Sequence, residues 1–130
     1  MKKLIILSLL IFFAINSFAW GPTGHRVTGW IADRHLTKKA KKELYRILSG
    51  QSLAMASTWM DEIRSDSTYD HTHDWHWVTV PDGKSYQDSE KNPNGDILQT
   101  IERLITALKS KKLNAKDEAE HLKMLIHLVG

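Results

Sequence analysis

Five residues in this chain carry donor groups of the kind that hold metals: Trp20 (through its backbone nitrogen and oxygen), His25, Asp61, His76 and His127. The sequence has seven histidines and no cysteine, which excludes disulfides and thiolate metal sites together. Any metal must be held by imidazole, carboxylate or backbone groups, a donor set that suits zinc and its borderline neighbours. Each candidate also has a plainer role. Asp61 stands three residues before Arg64, at the spacing of an ion pair on one helix face. His76, between Trp75 and Trp77, can bridge a polar edge to an aromatic core. His127, among Leu125, Ile126 and Leu128, can be a hydrogen-bonded core residue.

Four histidines are set aside. His121 and His127 are six residues apart, so on one helix their directions differ by about 120°, which turns His121 to solvent. His71 and His73 alternate in a stretch read as extended, either as a small separate metal clip or as an exposed loop. His35 closes a helix, where a partly charged imidazole complements the dipole.

For Trp20 to act as a ligand, something must expose its amine. Lys2 and Lys3 precede an apolar run from Leu4 to Ala14, and Ser17-Phe18-Ala19 supplies the small residues a signal peptidase accepts. Residues 1–19 are therefore expected to be a signal peptide, cut after Ala19. The freed α-amine has a pKa near ~8 and can close a chelate ring with its own carbonyl. The apolar core of the leader falls short of the roughly 20 residues a membrane span needs. The expectation is a secreted or periplasmic protein with no membrane contact after signal removal.

The elements that must position these groups read as helices. A first runs from Gly24 to about His35, with Thr23 as its cap and Val27, Trp30 and Ile31 as its buried stripe. Thr37 caps a lysine-rich second helix to about Leu48, whose inner face is Leu44, Ile47 and Leu48 and which Ser49-Gly50 ends. A third spans Leu53 to Ile63. The stretch from Arg64 to Asn92 reads as a long ordered loop, with one short extended candidate at Trp77-Val78-Thr79-Val80. Ile97, Leu98, Ile101, Leu104, Ile105 and Leu108 mark a fourth helix. Ala119, Leu122, Leu125, Ile126 and Val129 mark a fifth that begins at Lys116. The fold class is all-α, a single domain over residues 20–130. The apolar pattern is still running at Gly130, so the domain reads as truncated mid-helix. Without the leader the formal charge of +3 drops to +1, because Lys2 and Lys3 leave with it. That gives no indication of a general polyanion-binding surface; nucleic acid would have to be gripped by a local site rather than a basic face.

Taken in order, four segments carry a resemblance: Trp20-Gly21-Pro22-Thr23-Gly24-His25, Ala56 through Trp59-Met60-Asp61-Glu62-Ile63-Arg64, Trp75-His76-Trp77-Val78, and Leu125-Ile126-His127-Leu128-Val129-Gly130. Together they resemble the zinc-dependent single-strand-specific nucleases, the S-one/P-one family, and are more distantly similar to zinc-dependent phospholipase C. The resemblance implies a mostly helical domain with three zinc ions in a cleft. It implies that Trp20 and His25 hold one ion and that Asp61, His76 and His127 hold a second. A bridging aspartate is expected directly after Gly130, and the third ion's ligands farther on, so these 130 residues offer at most two partial sites. The implied reaction is attack of a zinc-activated water on phosphorus, cleaving single-stranded DNA or RNA, or nucleotides, to 5′-phosphorylated products, often with 3′-nucleotidase activity. Trp77 matches a position that places an aromatic ring against the substrate base; a core tryptophan is the other reading. Arg64 faces the phosphate or is paired with Asp61 or Glu62. Besides a phospholipase C, the competing reading is a non-catalytic exported helical protein that binds metal.

Overall fold

A computed structural model describes residues 21–130; the expected signal peptide, residues 1–19, and Trp20 lie outside the described residues. Six α-helices follow in order: α1 Pro22–His35, α2 Lys38–Ile47, α3 Leu53–Ala56, α4 Trp59–Glu62, α5 Ile97–Ser110 and α6 Ala115–Val129. A 3₁₀ segment, Ser67–His76, lies between α4 and α5. No strand occurs among the described residues, and none of their helices is long and apolar enough to cross a membrane. The protein is all-α.

Local chemistry explains most boundaries. Thr37 accepts a hydrogen bond from the Ala40 amide, Ser52 from Met55, Asp96 from Gln99 and Asn114 from Asp117, so four helices start on side-chain caps. The first helix differs from expectation. Gly21 is its N-cap without a side-chain bond, Pro22 occupies its first turn, and Thr23 lies inside it. Proline needs no partner for a missing N–H at that position, so the helix starts earlier without Thr23.

The buried face of α1 is also not the anticipated one. Val27, Trp30 and Ile31 are 50 %, 52 % and 47 % exposed, whereas Gly29 is buried. A Cβ on Gly29 would lie 2.8 Å from the Leu53 carbonyl oxygen and 3.0 Å from the Ala54 Cα. Backbone-to-backbone approach to α3 selects the smallest residue on the helix, and the apolar stripe is left outside.

The expected helix over Leu53–Ile63 is two short ones, interrupted at the buried pair Ser57-Thr58. Ser and Thr compete with the backbone for hydrogen bonds. The Ser57 hydroxyl donates to the Ala54 carbonyl and the Thr58 hydroxyl to Glu62. The region read as loop contains the 3₁₀ segment, and residues 77–80 form no strand. His71 and His73 therefore stand on 3₁₀ turns rather than in extended chain.

Helix α6 binds the molecule together. Met124 and Leu128 join Met60, Trp75 and Leu104 in one apolar cluster, while Leu122 joins Leu48, Leu53 and Ala56 in another. His127 lies on that same helix, 3 % exposed, in the structure's interior.

Candidate metal centre

Three helices that are distant in sequence converge on one point. His25 on α1, Asp61 on α4 and His127 on α6 each present one donor atom, and all three atoms lie within 4.8 Å of one another. The His25 and His127 rings stack with centroids 4.1 Å apart, and His76, at the end of the 3₁₀ segment, meets His127 edge-on at 5.3 Å. Four of the five anticipated ligand residues thus gather, and Trp20 lies outside the described residues. The tightest group takes one residue from the expected first-ion set and two from the second.

Backbone carbonyls orient two of the rings. His127 Nδ1 lies 2.7 Å from the Ser57 carbonyl oxygen and His76 Nδ1 lies 3.2 Å from that of His73. A carbonyl only accepts, so Nδ1 carries the proton in both rings and the Nε2 lone pair is left for another partner. His76 Nε2 is buried and has no hydrogen-bond partner among the described residues. An unmet acceptor beside two further imidazoles and a carboxylate fits a cation. In an unbroken helix the Ser57 carbonyl would bond the Asp61 amide; the break between α3 and α4 frees it for His127.

Electrostatics point the same way. Burial, helped by its histidine neighbours, pushes the His127 pKa down to about 4 against the opposing pull of the Ser57 carbonyl and Asp61. Burial also lowers that of His25. Both imidazoles are neutral near pH 7, the form in which histidine ligates a metal. Three imidazoles with one carboxylate is a nitrogen-and-oxygen set of the zinc type.

Beside the cluster lies a cavity of about 380 Å³ lined by Arg64, Tyr69, Asp70, His73, His76 and Trp77, with Thr72 beneath. Trp77 is 44 % exposed, so it is not a core tryptophan; Trp75, buried and donating from Nε1 to the Asn94 carbonyl, has that role. Among the described residues Arg64 makes no ion pair, and the anticipated partner Glu62 instead accepts from Thr58. Sequence reasoning missed His73, whose carbonyl holds His76 and whose ring meets Trp77 edge-on at 5.0 Å. It also missed the Ser57 carbonyl. The available signals were the three-residue spacing of His73 and His76 and the helix-interrupting Ser57-Thr58 pair.

The family model described as S1/P1 Nuclease matches residues 20–130. The chain belongs to the S1/P1 nuclease family. No curated protein matches it. S1/P1 nucleases are zinc-dependent and act on nucleic acid, and among this member's described residues His25, Asp61 and His127 form a group that could hold a metal ion.

Proposed function

We propose that this chain hydrolyses phosphodiester bonds of single-stranded DNA and RNA to 5′-phosphorylated products, at a zinc centre built on His25, Asp61, His76 and His127. The amine and carbonyl of Trp20 join that set after the leader is removed in export. The observation that carries the reading is the convergence of His25, Asp61 and His127 donors within 4.8 Å. Zinc, when bound, supplies the Lewis acid that polarises a phosphoryl oxygen and makes water nucleophilic near neutral pH.

The chain's own residues do the rest. Asp61 brings the negative charge that offsets a dication. Ser57 and His73 fix the His127 and His76 tautomers, so each ring offers Nε2 without rotating. Arg64, without a carboxylate partner among the described residues, is available to a phosphate in the cavity, where a guanidinium binds two oxygens at once. Trp77 offers an open ring to a base, and only an unstacked base can lie on it while its phosphate enters the cavity. Single strands are favoured for that reason.

The test pairs metal analysis with a substrate comparison. The exported protein should contain zinc, cleave single-stranded DNA in preference to duplex, and leave phosphatidylcholine intact. Asp61→Asn and His127→Ala should each lower zinc content and cleavage together. Unchanged zinc content in both variants would contradict the ligand assignment.

A further inference from the structure

Half of the basic residues after the leader sit in two short segments. Helix α2 carries Lys38, Lys39, Lys41, Lys42 and Arg46 against a single acid, Glu43. The last turn of α5 and the residues just after it add Lys109, Lys111 and Lys112 with none. The rest of residues 20–130 holds eight basic and fourteen acidic side chains. A near-neutral total therefore conceals a strongly positive patch on an otherwise negative molecule, the asymmetry that steers polyanions. The two segments are neighbours: Glu43 is held below the usual carboxylate range first by its hydrogen bond from Arg46, and also by the fields of Lys111 and Lys42.

The patch has shape as well as charge. Lys38, Lys41, Lys42 and Tyr45 stand at helical spacings of three and four, and with Glu43 and Arg46 they line a shallow groove of about 580 Å³. Tyr45 is 57 % exposed. Lys41 is tied to Asp33, and Arg46 to Glu43 and Glu118. Lys38, Lys39 and Lys42 form no ion pair among the described residues. An uncommitted cationic row beside an open aromatic ring is the pairing that holds single strands, phosphates on the lysines and a base on the ring. Arg46 reaches Glu118 near the start of α6, and His127 lies nine residues along the same helix, about 14 Å away at 1.5 Å per residue. A strand a few nucleotides long reaches from one to the other.

We propose that the lysine face of α2, with the basic turn at 109–112 and Tyr45 as a stacking platform, is a second docking surface for single-stranded nucleic acid. It holds the strand outside the metal centre. The inference rests on the nuclease reading and deepens it.

The test uses the full chain stripped of zinc by a chelator, so that the strand is bound but not cut. Anisotropy of a labelled twenty-residue oligothymidine is followed across salt concentrations. The K38E/K42E variant should bind more weakly, with a log affinity against log salt slope shallower by about 1.4, or about 0.7 per lost phosphate contact. Tyr45→Ala should weaken binding about 5- to 150-fold, the range of one lost base stack, and should bind an abasic strand as the unaltered chain does. Unchanged melting temperature and zinc content of the reloaded variants check that neither the fold nor the metal centre was touched. Wild-type-like binding by either variant would overturn the proposal while leaving the nuclease reading standing. A lysine effect without a tyrosine effect, with heparin or anionic vesicles bound equally well, would overturn it in favour of a general polyanion surface.

Discussion

At the scale of single residues, which nitrogen of each histidine is free decides what the cluster can bind. The Ser57 carbonyl accepts a hydrogen bond from the His127 Nδ1–H and burial keeps the ring neutral, with a pKa of about 4. An imidazole in the unfolded chain titrates near 6.5, so between those values the unfolded chain binds more protons. The stability that His127 contributes to the metal-free fold is complete above pH 6.5 and is lost as pH falls toward 4. A nuclear magnetic resonance titration should place His127 near 4, and urea midpoints of the metal-free protein should fall between pH 7 and 5. Trp77 makes a separable prediction. Its ring is open and outside the apolar clusters, so Trp77→Ala should weaken single-strand binding by about 1–3 kcal/mol and leave the melting temperature within a degree or two. The candidate ligands were legible because metal chemistry admits few residue types. His73 and the Ser57 carbonyl were not, because a backbone oxygen has no sequence signature.

At the scale of elements, close approach of α1 to α3 decides where His25 stands. Gly29→Ala would place a methyl 2.8 Å from a backbone carbonyl that has no rotamer to yield. Overpacking of this kind costs about 1–3 kcal/mol, and the shift of α1 should lower zinc affinity as well as melting temperature. Val27→Ser, two residues away and half exposed, should change stability by less than about 0.5 kcal/mol. Equal melting temperatures for Gly29→Ala and the unaltered protein would contradict this packing. Capped helices with long apolar periods, α2, α5 and α6, were readable to within a residue or two. Periodicity misled where tertiary contact outweighed it: α1 buries its glycine face rather than Val27, Trp30 and Ile31, and the Ser57-Thr58 pair splits a helix that the pattern joined. The 3₁₀ segment was hidden because its turns carry no helical apolar stripe.

At the scale of the whole molecule, positive charge is drawn to α2 and the turn beside it, while a carboxylate and three imidazoles meet near the far end of α6. Counting charge over the whole chain averaged that separation away, which is why a near-neutral total spoke against a polyanion surface. The all-α architecture and family membership were legible in the sequence, because four separated motifs in order constrain a fold more than any one of them. The convergence of His25, Asp61, His76 and His127 was legible only as an implication of resemblance; spacing along the chain does not encode it. The most direct measurement is anomalous scattering at the zinc edge from crystals of the zinc-loaded, leader-cleaved protein. Zinc is expected bounded by His25, Asp61, His76 and His127 and touching the Trp20 amine. An anomalous peak elsewhere, at His71 and His73 for example, or none at this cluster, would contradict it.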